Sequence, residues 1–340
     1  MTADGLDLAA LEAFFAARVP GFGGRLSAEL LQGGRSNLTY VLTDGRSRWV
    51  LRRPPLGGLT PSAHDMGREY RVVAALRDSD VPVARAVALG GEDVLGVPFS
   101  VVEHIDGVVF RTTEQLGKLS DDEVRRCAHG LVDVLARLHA VDPHAVGLDG
   151  FGRPEGYLGR QVRRWHDQWL RVKTRELPDI DALHTRLADT CPAESGASIV
   201  HGDYRIDNVI LDPDDPGTAR AVVDWEMATL GDPLADLGLH LVYSDPAFAP
   251  VLAGAAASTS DRLPPVRELA QRYAELSGRD LGPLDFHLAL GYFKIAVIAE
   301  GIHARYRQGL TLGSGFEAVG AAVAPLAAAG LRAAARIGKD

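Results

Sequence analysis

Short apolar runs fill the first hundred residues. RLSAELLQGG, NLTYVLTDG and RSRWVLRRPP are rich in β-favouring side chains and are punctuated by Gly33-Gly34 and Asp44-Gly45. That is the signature of strands joined by tight turns, and Asp-Gly between two apolar runs predicts a hairpin. Tyr70, Val73, Ala74 and Leu76 then recur at helical spacing, which predicts a helix over His64 to Arg77. VPVARAVALG and VPFSVVEHIDG return to strand character. Beyond Gly107 the period becomes helical. Ser120 and Glu123 form a capping-box pattern ahead of VRRCAHGLVDVLARLHA. Further helical patterns cover Tyr157 to Lys173, Pro265 to Leu276 and Leu284 to Tyr306, and the Ala-rich stretch Ala318 to Leu331 reads as a packed helix or helix pair. The expected class is therefore α+β: a small strand-rich lobe over 1–104, a connector near Glu103 to Gly107, and a larger helical lobe over 105–340.

Composition narrows the setting. At 340 residues, 46% hydrophobic and 24% charged, with a mean hydropathy of -0.01, the chain suits two modest globular domains. The Ala-rich stretch contains Pro325 and falls short of the ~20 apolar residues a bilayer span needs, so no membrane partner is expected. The start of the chain lacks a basic n-region and interrupts its apolar run with Asp, Glu and Arg, unlike a secretory leader. The two cysteines, Cys127 and Cys191, have no metal-like spacing, which suits a reducing cytoplasm. The net charge of -9 is concentrated in residues 101–240, where 25 acidic side chains face 15 basic ones. Such acidity argues against nucleic acid as a partner. Nothing in the pattern sets an oligomeric state.

Part of that acidity lies in one ordered motif. Ile199-Val200-His201-Gly202-Asp203-Tyr204-Arg205-Ile206-Asp207-Asn208-Val209-Ile210-Leu211 sets a polar loop between two apolar runs. Sixteen residues past Asn208, Ala221-Val222-Val223 delivers another carboxylate, Asp224. Transfer of a phosphoryl group needs a carboxylate that accepts the hydroxyl proton, oxygen ligands for Mg²⁺, and cations against the transferred charge. An Asp–Asn pair five apart can divide the first two tasks. The spacing matches a kinase catalytic loop, with Asp203 as base and Asn208 and Asp224 as metal ligands. The plainer alternative is a turn whose Asp and Asn cap local backbone.

HGDYRIDNVILD followed by VVDWEMATLGDPLADLG resembles the aminoglycoside phosphotransferase and choline kinase-like superfamily, within it the phosphotransferase proteins related to kinase domains attached to some acyl-CoA dehydrogenases. GGRSNLTYVLTDG, WVLRRPP, HDMGREYRVVAAL, LARLHAVD, RQVRRWHDQW and AEGIHARYRQG extend the likeness from about Leu31 to Gly309. The resemblance implies a bilobal protein-kinase-like fold, binding of ATP and Mg²⁺, and transfer to a small-molecule hydroxyl. Gly33, Gly34, Ser36 and Asn37 fall where kinases place a loop over the phosphates. Arg52 falls where kinases carry a phosphate-contacting lysine, with Glu69 as its helical partner; a solvated strand end is the alternative for Arg52 and Arg53. Glu103 falls at the connector that lends backbone to an adenine. Arg205, two residues after Asp203, matches a cation beside the transferred group, or else a surface charge. Asp236 and His201 are expected to shape the loop. No long activation segment separates Asp224 from Asp232.

Aminoglycoside pockets call for acidity, yet residues 241–340 carry a slight basic excess. Lys294 and Arg305, eleven apart, share roughly one helical face. Arg160, Arg163, Arg164, Arg171, Lys173 and Arg175 are interleaved with Trp165 and Trp169. These cations favour an anionic acceptor such as a hydroxy acid or its CoA thioester; solvated helix faces and core tryptophans are the alternative. Antibiotic phosphorylation and a nucleotide-binding pseudokinase stand as competing functions.

Overall fold

The structure, a computed structural model, describes residues 5–31, 37–55, 65–252, 256–311 and 315–339. The chain divides into two compact units: Met1–Gly107 with Arg220–Ala228, and Val108–Ala219 with Thr229–Asp340.

The first unit opens with α1 (Leu8–Arg18), capped by Asp7, whose carboxylate accepts from Ala10 N at 3.0 Å. It continues through β1 (Ser27–Leu30), β2 (Leu38–Thr43), β3 (Arg48–Arg53), α2 (Met66–Ala75), β4 (Ala86–Gly90), α3 (Glu92–Leu95) and β5 (Phe99–Glu103). The strands form one antiparallel sheet in the order β1-β2-β3-β5-β4. Asp44 and Gly45 make the β2–β3 turn as expected: Gly45 takes φ 86°, a left-handed value open to glycine, and the Asp44 carboxylate accepts from Arg46 N and Ser47 N. Strand alternation sets the two faces of β3. Trp49 and Leu51 join Leu11, Phe15, Tyr40, Leu42 and Phe99 in the core, which leaves Arg52 on the opposite face.

The second unit runs through α4 (Thr113–Leu116), α5 (Asp121–Ala140), α6 (Tyr157–Val172), α7 (Pro178–Asp189), β6 (Ser198–Val200) and β7 (Val209–Leu211). After β8 (Ala219–Val222) and the excursion to 228 it resumes with β9 (Thr229–Gly231), α8 (Pro233–Val242), α9 (Val266–Ser277), α10 (Leu284–Arg307) and α11 (Val319–Ala334). Ser120 and Glu123 close the capping box at α5. β6 pairs antiparallel with β9. The core of this unit gathers Leu158, Trp165 and Trp169 of α6, Phe286 and Phe293 of α10, and Val323 and Leu326 of α11. Trp165 and Trp169 are thus packing residues. α8 and α10 touch at Gly238, where an added Cβ would lie 2.8 Å from the His287 backbone, closer than packing allows. α11 is one helix with Pro325 inside it.

One stretch departs from the division expected at residue 104. Arg220–Ala228 clusters with the first unit because its polar groups bond there. Val222 N donates to the Pro82 carbonyl at 2.8 Å, and the Arg68 guanidinium donates twice to the Ala228 carbonyl, at 3.1 and 2.9 Å. Among the described residues, no helix is long and apolar enough to cross a membrane.

Candidate active site

The loop that follows β6 is held by its backbone. Gly202 takes φ 80°, and the successive amides of His201 and Gly202 donate to the two oxygens of Asp236, at 2.6 and 2.8 Å. Asp236 projects from α8 and is buried, and its second neighbour is His139 Nε2 at 3.4 Å. Burial opposes its charge, but the His139 contact, the charges of His139 and His201 and the His201 amide outweigh it, so its carboxyl lies below the ordinary range. Asp232 caps α8 through Leu234 N and also accepts from Ser195 N and Oγ. Asp236 therefore fixes the loop, and His201 takes part as an acceptor for Asp203 N at 3.3 Å.

Asp203 is brought together with Asn208, Arg205, Tyr243 and Lys294 within the second unit. Tyr243 Oη donates a hydrogen bond to Asp203 Oδ1. Asn208 Nδ2 donates to the Asp203 carbonyl at 2.9 Å and to its Oδ2 at 3.3 Å. The amide nitrogen is thereby committed, while the Asn208 carbonyl oxygen has no hydrogen bond among the described residues. Arg205 Nε lies 3.5 Å from Asp203 Oδ1, Nη2 lies 3.2 Å from Asp207 Oδ2, and the guanidinium stands 5.4 Å from the Tyr243 ring centre. At 13% side-chain exposure Arg205 is no surface charge. Lys294 of α10 donates to the Gly202 carbonyl at 2.7 Å and sits 5.6 Å from the Trp165 ring centre. Desolvation pushes the Asp203 carboxyl up, yet Arg205, the Tyr243 hydroxyl, Lys294 and His201 together hold it below its ordinary value. It stays ionised. Burial lowers the Lys294 ammonium, against the pull of Asp203 and Asp236.

The first unit assembles a second constellation. Arg52 Nη1 meets Glu69 Oε1 at 2.6 Å and Nη2 meets Asp224 Oδ1 at 2.9 Å. This is the forked geometry that a guanidinium supplies and an ammonium does not. Burial disfavours the Arg52 charge, but Glu69, Asp224 and Glu226 more than restore it. Burial raises Glu69 to about 7, with Asp224 and Glu226 adding to the effect and Arg52 opposing it. Asp224, at φ 66° and ψ 56°, is the one non-glycine among the described residues with a positive φ. Strain of this kind persists where the surrounding structure imposes it. Asn37 Nδ2 donates to Glu226 at 3.3 Å. Gly33, Gly34 and Ser36 lie outside the described residues. The alternative of solvated strand ends fails: Arg53 is buried and donates to the Pro54 carbonyl at 3.3 Å and to the Gly5 carbonyl. Glu103 N donates to the Arg85 carbonyl at 2.9 Å and its carboxylate meets Arg85 Nε at 3.2 Å.

Half of the basic run from Arg160 to Arg175 is spent locally, while Arg163 and Arg164 are exposed. Arg160 bonds the carbonyls of Glu155 and Arg153, Lys173 bonds Glu176, and Arg175 bonds Glu300 and the Gly320 carbonyl. Lys294 and Arg305 do not share a setting, since Arg305 is exposed. Sequence reasoning missed Tyr243, which lies forty residues from Asp203 in a mostly apolar helix end, and it missed Lys294 as a neighbour of the loop.

The chain as a whole is similar to known proteins. A profile described as the phosphotransferase enzyme family matches residues 27–270. Acyl-CoA dehydrogenase family member 11 of Rattus norvegicus is 35% identical over 340 residues. The match covers 97% of this chain, which spans only 43% of the length of that relative. A crystal structure from Ralstonia eutropha, described provisionally as an aminoglycoside phosphotransferase, aligns with a TM-score of 0.85 at 34% identity, covering 97% of this chain and 98% of the other. Aminoglycoside phosphotransferase APH(4)-Ia, solved as a ternary complex with AMP-PNP and hygromycin B, shares the fold at a TM-score of 0.60 and 17% identity, covering 97% and 99%. With more than half of its residues matched by that profile, this chain belongs to the phosphotransferase enzyme family.

Proposed function

We propose that the chain is a small-molecule kinase that moves the γ-phosphoryl of ATP to a hydroxyl of an anionic acceptor, a hydroxy acid or hydroxyacyl thioester. The observation that carries this reading is the Asp203–Asn208 pair. The carboxylate is held ionised, and the amide is oriented with its carbonyl oxygen left over. Asp203 accepts the hydroxyl proton, and Arg205 holds it charged while offsetting charge on the transferred group.

Mg²⁺ takes hard oxygen ligands and keeps several waters, and Asn208 and Asp224, each considered in its own unit, carry oxygens of that kind. Asn208 offers its carbonyl oxygen and Asp224 the carboxylate oxygen that Arg52 leaves over. Held by these oxygens, the ion would supply positive charge against the phosphates. Arg52, fixed by Glu69, faces the phosphates as the resemblance implies, with Gly33, Gly34, Ser36 and Asn37 as the loop over them and Glu103 at the strand end nearest the base. ATP as donor is supported by the AMP-PNP complex of a fold relative. The anionic acceptor is supported by the cations Arg205 and Lys294 beside Asp203, which would repel a polycation, and by relatives named for acyl-CoA dehydrogenases.

The test is Mg²⁺-dependent transfer from γ-labelled ATP to hydroxy acids, hydroxyacyl-CoA thioesters and aminoglycosides. Label on the first two classes, lost in Asp203→Ala with nucleotide affinity intact, is expected, and Asp224→Ala should weaken Mg-nucleotide binding. Label on the aminoglycosides alone would move the protein to antibiotic modification. ATP binding with no transfer to any acceptor would support the pseudokinase.

A further inference from the structure

The Asp203 carboxylate is not symmetric. Oδ1 accepts the Tyr243 hydroxyl and faces Arg205 Nε at 3.5 Å, whereas among the described residues Oδ2 accepts only the long Asn208 bond at 3.3 Å. A strong donor on one oxygen draws electron density towards it and fixes the carboxylate plane, so the other oxygen keeps the lone pair free to take a proton. Tyr243 is built to supply that donor. It closes the C-terminal end of α8, is 4% exposed, and packs its ring against Phe248 with centroids 4.7 Å apart. Phenylalanine would serve that packing equally well. The buried hydroxyl costs free energy unless bonded, and Asp203 is the partner it has. Burial and the Asp203 charge raise the phenol well above its ordinary value, so it remains a donor throughout the working range.

Resting on the kinase reading above, the geometry points to Tyr243 as a positioning residue that saturates Asp203 Oδ1 and so assigns Oδ2 as the atom that takes the acceptor proton. As the acceptor oxygen bonds to the γ-phosphorus, its proton passes to Oδ2. The bond from phosphorus to the β,γ-bridging oxygen breaks, and that electron pair leaves on ADP.

The test is Tyr243→Phe in the full chain, assayed with Mg²⁺, γ-labelled ATP, and hydroxy acids and their CoA thioesters bearing the hydroxyl at successive carbons. Loss of one charge-assisted hydrogen bond is expected to lower kcat about tenfold or more, with KM for ATP and acceptor nearly unchanged. Site-specific meta-fluorotyrosine at 243, which keeps the ring and the donor, should retain kcat near the wild-type value and serves if the Phe variant folds poorly. Wild-type kcat in Tyr243→Phe, a loss carried by KM rather than kcat, or a meta-fluorotyrosine variant as slow as Phe would overturn the positioning role alone. A wild-type chain showing no Asp203-dependent transfer would overturn the kinase reading, and this proposal with it.

Discussion

Asp236→Asn probes how firmly the loop before Asp203 is held. The carboxylate accepts from two consecutive backbone amides, His201 N at 2.6 Å and Gly202 N at 2.8 Å, with His139 Nε2 at 3.4 Å. An asparagine offers one acceptor oxygen, so in either orientation its NH₂ opposes one of those N–H groups. A hydrogen bond to a charged group contributes about 1.5–3 kcal/mol, and a buried donor left without a partner costs about 1–3 kcal/mol. Together they set an expected destabilisation of about 2.5–6 kcal/mol. Equilibrium urea unfolding, followed by the fluorescence of the buried tryptophans, measures it. Because folding lowers the Asp236 pKa, its stabilisation is present above the unfolded carboxylate range, about 3.9, and is lost as the pH falls through the folded value. The deficit of the variant should therefore narrow on acidification. A deficit below about 1 kcal/mol at neutral pH, the size of an ordinary surface change, would mean that the amides find other partners and that Asp236 does not set the loop.

Two further variants test the cations and carboxylates at the site. Glu69, raised to about 7 from an ordinary 4.5, binds a proton more tightly folded than unfolded. Its stabilising effect is complete below 4.5 and is lost as the pH rises through about 7, so Glu69→Gln should flatten the fall in the urea midpoint over that window, and an unaltered slope would refute the assignment. Lys294→Met keeps an unbranched side chain against Trp165 but removes the donor to the Gly202 carbonyl. Steady-state assays should show kcat lowered roughly tenfold, and wild-type kcat would show that the tether is dispensable.

The strands of the first unit and the capping box at Ser120 were legible because local chemistry dictates them. Asp44-Gly45 turns because glycine takes φ 86° there, and alternation along β3 sorts Leu51 from Arg52. The loop that brings Asp203 against Asn208 was legible through order and spacing. Other features depend on contacts that sequence distance conceals. Tyr243 meets Asp203 only because α8 folds back on the loop it anchors through Asp236. α7 shows merely Ile180, Leu183 and Leu187 on its buried side, and α8, buried nearly all round, has no polar face to mark its period. Pro325 argues for a break, yet tertiary packing of α11 overrides it. Arg160, Lys173 and Arg175 look like part of an anion site in sequence because the carbonyls and carboxylates they bond are invisible there.

The return of Arg220–Ala228 to the first unit has a consequence for synthesis on the ribosome. Chains generally fold domain by domain from the N-terminus as they emerge. Here the first unit is unfinished when residue 107 appears: the Pro82 carbonyl lacks Val222, Arg68 lacks the Ala228 carbonyl, and Arg52 lacks Asp224. More than a hundred further residues must be made before those partners arrive. The strand-rich unit is thus completed late, and the order of completion differs from the order of translation.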